Sequence, residues 1–504
     1  MKLVIKEYWE NLKTEYETAY KVSIFSDYNV LMQYAERFGS YLRGLMQEDP
    51  LDVDVVCALA TVEQVLRHEE NSIQLLEDFL ETYSGELSDT DKARVYTNLA
   101  FYYKDVPMPL TTLSVEEANS ISQTSQADVY AQVENDLKDA IDILPTEYPS
   151  GEYGRFTRGA AKTLLSRLYL AQERWADAAK ILKEVIDSKI YELDRRNGEE
   201  SYDKLFQIGG EYSPEMIFCI MGVKDMYTNS RYQYLYPEAA YGGWHQFSPY
   251  NELVKEYFCI DGKDIKTSEV YDENDPYVNR DLRLYASIFL PPLGSYSGTK
   301  YNDIIYDCFK GANTADSYNK FTLFNGYCPK KGCDPSIINN LGSTPTYTPI
   351  MRYAEVLLSY LEALNESQPS AIDQNILDLT INDIRNRVKL TDIKKADVPT
   401  QELVREAIRK ERRVELAFEG LRYYDVLRWE IAEKELNHTF TGVKLSDDPN
   451  ARNYRGSGTA ASPVDENMYY QFEKRTWSSH NRYFPIPQND LNVNKNLKQN
   501  TGYN

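Results

Sequence analysis

Apolar residues recur every three or four positions along the first 190 residues, and that period commits the chain to consecutive amphipathic helices rather than to sheet. Ile5, Trp9, Leu12, Tyr16 and Tyr20 open the series. Val55, Leu59, Val62 and Leu66 make one further stripe, and Ile73, Leu76, Leu80 and Tyr83 another. Tyr130, Val133, Leu137, Ile141 and Leu144 form a stripe that Pro145 must end, because proline lacks the N–H that a helix needs and its ring clashes with the preceding turn.

Residues 160–188 have the grammar of a tetratricopeptide unit. Small Ala161 stands with Leu165, Leu168 and Tyr169 on one helix, a Glu173-Arg174-Trp175 turn follows, and Ala178, Ala179, Leu182 and Ile186 line a second. The alanines let two helices approach closely. From 189 to 347 the period breaks into short runs punctuated by Gly, Pro, Asn and Asp, with strands expected at 216–221 and 284–290. Helices return at Thr348, read as an N-cap with Pro349 at the first helical position, and pass through Tyr353, Leu357, Tyr360, Leu361 and Leu364. Thr400 is expected to open a long helix to about Glu435. The fold class is therefore mainly α: one domain over 1–504 with a helical, tetratricopeptide-like part at 1–188, a loop-rich variable region with a few short strands at 189–347, and C-terminal helices at 348–504.

Size and charge restrict what such a chain does. At 504 residues it buries enough surface to fold without a disulfide or metal staple, and no cofactor is expected. A formal net charge of -22, with no basic block to reverse it, repels phosphate backbones and anionic headgroups, which excludes nucleic acid as a partner. No apolar run approaches the ~18 residues that span a bilayer. The start, Met1-Lys2-Leu3-Val4-Ile5-Lys6-Glu7, lacks the apolar stretch of a secretory leader, so the chain is read either as intracellular or as a mature form. The six cysteines and four histidines show no zinc-ligand spacing, and no metal site is expected. Cys328 and Cys333 flank Pro-Lys-Lys-Gly, a spacing that fits a small disulfide loop in an oxidising compartment.

Two clusters compete for a functional role. On the helix after Thr400, helical spacing puts Val404, Ile408, Glu411, Glu415, Phe418 and Arg422 on one face, so that two carboxylates and a guanidinium share an apolar stripe. A catalytic carboxylate pair is one reading. The favoured one is a structural ion network of Glu411, Arg412, Glu415 and Arg422, with Arg413 beside them, because unpaired burial would be costly and nearby arginines hold both carboxylates ionised. The second cluster, at 227–250, sets Tyr227, Tyr232, Tyr234, Tyr236, Tyr241, Trp244, His245 and Tyr250 among Asn, Gly and Pro. With 42 Tyr against 17 Phe and 5 Trp, aromatic faces in this chain carry hydroxyls suited to half-wet surfaces. Loop aromatics beside polar side chains supply the stacking face and hydrogen bonds that a sugar needs, so Trp244, Tyr241, His245 and Tyr236 are the expected ligand-binding residues. The phosphate-loop, zinc-protease and nucleophile-elbow signatures are absent: Gly294-Ser295-Tyr296-Ser297-Gly298 carries Tyr where the nucleophile belongs, and no enzymatic activity is expected.

Several stretches carry a family likeness. They are Arg352-Tyr353-Ala354-Glu355-Val356-Leu357-Leu358; Glu411-Arg412-Arg413-Val414-Glu415-Leu416-Ala417-Phe418-Glu419-Gly420-Leu421-Arg422-Tyr423-Tyr424-Asp425; and Phe484-Pro485-Ile486-Pro487 with Gln499-Asn500-Thr501-Gly502-Tyr503. Lys104-Asp105-Val106-Pro107, Gly154-Arg155-Phe156 and Asn279-Arg280-Asp281-Leu282-Arg283-Leu284 stand in the same order upstream. Together the sequence resembles the SusD/RagB family. The resemblance implies a tetratricopeptide-like helical protein on the surface of a Gram-negative outer membrane. Such a protein binds oligosaccharides and delivers them to a SusC-type TonB-dependent transporter, and it touches the membrane only through an N-terminal lipid anchor that this sequence does not contain. A peptide-capturing member of the same family and a helical glycoside hydrolase are the alternatives.

Overall fold

The computed structural model describes residues 98–503 apart from 112, 150–152, 224–227, 229–230, 239–241, 302, 310–314, 320–323 and 457–461. The stripes at 5–20, 55–66 and 73–83, together with Cys57, Tyr227 and Tyr241, lie outside the described residues. The described residues fall into two compact units, 98–136 with 480–503, and 137–479.

In the first unit the family-like segments explain themselves through hydrogen bonds. Asp105 Oδ1 accepts from Gln126 N at 2.9 Å, at the first residue of helix α1 (Gln126–Ile143). The ring of Phe484 stacks on Tyr102 and meets Tyr103 edge-on, and Phe484 N donates to the Tyr102 carbonyl. Gln499 brackets Ile486, accepting from its N–H at 2.7 Å and donating to its carbonyl at 2.8 Å. Asn500 donates to the carbonyls of Tyr103 and Phe484.

The second unit holds the helical hairpin. Helices α2 (Arg158–Ala171) and α3 (Trp175–Asp187) pack together with Ala160, Ala161, Ala178 and Ala179 buried between larger aliphatics. Thr157 caps α2 by accepting from Ala160 N, and the turn closes with Glu173 at φ +55° and the Arg174 guanidinium over the Tyr169 ring at 4.3 Å.

Residues 189–347 are loop-rich yet carry their own core. It gathers Tyr202, Phe206, Tyr236, Tyr257, Tyr277, Phe289, Tyr306 and Tyr327, all buried. Several tyrosine hydroxyls here are spent on internal partners: Tyr277 and Tyr327 share a hydrogen bond at 2.9 Å, and Tyr327 donates to Asn251. Elements in and after this region include β1 (Met216–Ile220), α4 (Arg231–Leu235), α5 (Leu282–Ser287), β2 (Ile288–Phe289), β3 (Cys328–Pro329), β4 (Thr348–Arg352), α6 (Tyr353–Ser367), α7 (Gln401–Glu415) and α8 (Arg422–Arg428). α6 packs against α3 on one side and α7 on the other.

Three expectations need correction, and one open question is answered. The strand expected at 284–290 begins as helix α5, because Asp281 caps it by accepting from Arg283 N; only Ile288 and Phe289 extend, against β3. Thr348 and Pro349 start no helix: they pair with Ile220 and Cys219 in an antiparallel β1–β4 ribbon, and α6 begins at Tyr353. The helix from Thr400 stops at Glu415, since Phe418 at φ +66° and Gly420 at φ +79° turn the chain before α8. Cys328 and Cys333 form no disulfide with each other; both are buried thiols, and Cys328 Sγ donates to the Leu235 carbonyl.

Candidate functional site

Glu411 and Glu415 lie at the centre of a buried charge cluster. Arg283 Nη1 donates to both, at 2.6 and 2.8 Å. Arg385 completes Glu411, while Arg352 and Arg387 converge on Glu415 and also bridge Glu215. Glu419 accepts from Arg352 and from the Lys331 ammonium, and Asp281 holds the far side of Arg283. Five cationic and five anionic side chains thus neutralise one another out of water, the condition under which buried ions persist. Burial alone would push the Glu415 carboxyl up, but Arg387, Arg352 and Arg283 outweigh it and hold it well below the usual carboxylate range. For Lys331 burial wins, and its pKa falls to about 8.

The expected partners were different. Arg412 turns to Asp425 and Ser359, in a second buried cluster where Arg428 and the Trp429 indole meet Glu362. Arg422, at the start of α8 beyond the helix break, donates to Glu435, which Arg413 also reaches. Neither guanidinium belongs to the Glu411–Glu415 cluster. Both of those carboxylates have side chains with 0% exposure, so no substrate reaches them as an acid–base pair.

The aromatic segment is built as a mount. Tyr236 and His245 are fully buried. The Tyr236 hydroxyl meets the Asp334 carbonyl and Tyr301, and the His245 ring stacks on Phe324 with centroids 4.4 Å apart. His245 Nε2 lies 3.0 Å from the Tyr327 carbonyl, and Nδ1 lies 3.4 Å from Asp316 Oδ1, which also accepts from Glu238 N. Main-chain bonds from Trp244 N to Gln233 O, His245 N to Tyr236 O and Gln246 N to Tyr234 O clamp the returning strand of chain. Gly243 is required there: a Cβ would sit 2.3 Å from the Tyr236 carbonyl oxygen.

Between these buried anchors Trp244 stays only partly buried, its ring meeting Tyr234 edge-on with centroids 4.8 Å apart. The expected platform is therefore corrected in two members. Tyr236 and His245 present nothing to solvent, because a locally aperiodic segment can still send alternate rings inward. Tyr234 joins Trp244 instead, and Phe247, 57% exposed, is the further surface ring that a search for tyrosines passes over. Its signal in the sequence was a large apolar residue in a Gly- and Pro-punctuated stretch with no helical period.

The comparisons with known proteins agree with this architecture. A model of the SusD family matches residues 214–503, and a model described as starch-binding associating with outer membrane matches 91–170. Among curated proteins, the SusD-like protein P25 of Formosa agariphila is 24% identical over 358 residues, covering 68% of this chain and 62% of its own length. A SusD-like protein of Bacteroides ovatus is 24% identical over 396 residues, 73% of this chain and 62% of that protein. Among solved structures, a SusD-like carbohydrate binding protein from Bacteroides fragilis superposes with a TM-score of 0.70 at 28% identity, over 94% of this chain and 84% of that one. Surface glycan-binding protein A from Bacteroides uniformis shares the fold at 19% identity, with a TM-score of 0.52 over 95% of this chain and 84% of that one.

Proposed function

The chain belongs to the SusD family, and on that premise we propose that it captures oligosaccharides at the outer surface of a Gram-negative cell and passes them to a SusC-type TonB-dependent transporter. The observation that carries this reading is the Trp244 mount. A partly buried indole is held between two buried anchors on a loop pinned at its backbone, which preorganises a stacking face at little entropic cost on binding. The names of relatives support the ligand class: the Bacteroides fragilis protein at 28% identity is a carbohydrate binding protein. The match at 91–170 to a model described as associating with the outer membrane supports the location, where a lipid anchor tethers the protein.

This is a binding module without turnover. The carboxylates that invite a hydrolytic reading, Glu411 and Glu415, are sealed inside a neutralised cluster. A glycan and peptide array probed with the purified chain tests the ligand class: oligosaccharide hits support the reading, and peptide hits alone overturn it. Incubation must return the bound oligosaccharide intact; shortened products abolished by a single Asp or Glu substitution would make the protein a hydrolase.

A further inference from the structure

A second aromatic surface stands apart from the Trp244 loop and shares no residue with it. The segment that leads into α2 and the segment that leads into β1 enclose a cavity of about 310 Å³. Tyr153 and Tyr212 stand at its edge as an edge-to-face pair with centroids 4.6 Å apart, and 49% and 51% of their surfaces remain exposed. Arg155 lays its guanidinium over the Tyr148 ring at 4.3 Å, and Glu147 and Glu211 add carboxylates to the lining. Met216 and Phe218 contribute apolar surface.

The walls are fixed in advance. Gly154 sits at φ +82° with so little space that a Cβ would lie 2.5 Å from Met221 Cγ, which docks the Tyr153–Arg155 turn onto the end of β1. Thr157, the cap of α2, lies 3.2 Å from the Tyr191 hydroxyl. Two half-exposed tyrosines at a preformed concavity have a use when something flat and partly apolar covers them.

We propose that this cavity is a second saccharide site, taking one or two neutral pyranose rings. The volume argues for a short ligand, since sites for drug-sized molecules begin at about 300 Å³. The ring faces of Tyr153 and Tyr212 supply stacking for the C–H face of a sugar, while carboxylates accept from its hydroxyls. Charge selects against acidic sugars. Two carboxylates face one guanidinium that is already seated on an aromatic ring, and the whole chain carries -22.

The test uses saturation-transfer NMR on the full chain with maltose, cellobiose, lactose and diacetylchitobiose, a glucuronic-acid-containing disaccharide and a tripeptide, each at millimolar concentration. At least one neutral disaccharide should receive transfer that survives Trp244→Ala and weakens about fivefold or more in the Tyr153→Ala/Tyr212→Ala double variant. Glu211→Gln gives a second readout: it should weaken the neutral ligand and raise the signal of the acidic one. No transfer to any neutral disaccharide overturns the proposal, as does tighter binding of the acidic disaccharide or of the tripeptide. Loss of the signal in Trp244→Ala with retention in the double variant also overturns it, while leaving the Trp244 reading in place.

Discussion

Arg352 reaches Glu415 twice: Nη1 donates to the carboxylate at 2.6 Å and Nη2 to the Glu415 main-chain carbonyl at 2.8 Å, so the end of β4 is tied to the last residue of α7. Because Arg283 and Arg387 converge on the same carboxylate, removing it takes one partner from each of three buried guanidinium groups and leaves the cluster with an excess of positive charge. Glu415→Ala should cost about 3–5 kcal/mol, and Glu411→Ala about 3 kcal/mol. Arg422→Ala, whose side chain is 33% exposed, should cost about 1 kcal/mol or less. Urea denaturation checks the order; an unchanged midpoint in Glu411→Ala would remove these carboxylates from the structural cluster.

The same cluster sets an acid limit. Against the upward push of burial, Glu419 is lowered by Arg352 and Lys331, and Asp425 by Arg412 and Arg428, as Glu415 is by its own arginines. A carboxylate whose folded pKa lies below its unfolded value contributes stability above the unfolded value and loses it as pH falls toward the folded one. These three groups should therefore leave stability flat above about pH 5 and lower it progressively below about pH 4. Raising salt should shift this acid limb little, since buried pairs are poorly screened. A melting temperature that falls with acid equally in wild type and Glu415→Gln would contradict the assignment.

What the sequence made legible follows from the range over which each signal acts. The Ala160 to Ser188 hairpin and the Thr400 cap rest on residues three or four apart, and both stand in the structure. The end of α7 was harder to see, because the amphipathic pattern continues past Leu416 and only Gly420 marks the turn. Thr348-Pro349 reads locally as a helix start; the partner that makes it a strand, β1, lies some 130 residues away. Glu411 and Glu415 were recognisable as charges that demand partners, yet Arg283 and Arg352 come from distant segments, so nearby Arg412 and Arg422 looked equally suitable. The loop aromatics show the same limit: no local pattern separates Trp244, partly buried, from His245, fully buried beside it.

The buried thiols predict chemical silence. Burial pushes Cys219 up to about 12 and Cys308 and Cys328 well above the ordinary thiol range, so little thiolate exists at neutral pH. In the native protein these three should react with a disulfide reagent only as fast as the fold opens, and labelling with peptide mass mapping measures this. Reducing agent should leave the melting temperature unchanged, since Cys328 and Cys333 form no disulfide. A fall in melting temperature on reduction would restore the disulfide reading.

The Trp244 loop gives the sharpest separation of binding from folding. Trp244 and His245 are neighbours in sequence and differ in environment: one ring is partly buried against Tyr234, the other is sealed between Phe324, Tyr327 and Asp316. Stacking on an exposed ring adds ~1 kcal/mol beyond area burial, so Trp244→Ala should weaken a cognate oligosaccharide about fivefold or more while the melting temperature holds. His245→Ala should do the reverse at the level of stability. It removes a stacked ring and the hydrogen bond at the Tyr327 carbonyl, leaves a cavity, and should cost about 2–4 kcal/mol. Because the His245 ring is stacked on Phe324 beneath the loop, its loss loosens the mount, and affinity should fall through the indole's lost positioning, with partial recovery at low temperature where the fold is intact. Calorimetry with melting curves on both variants decides the matter: unchanged affinity with a large drop in melting temperature for Trp244→Ala would assign Trp244 to the core and leave the proposed platform without its central ring.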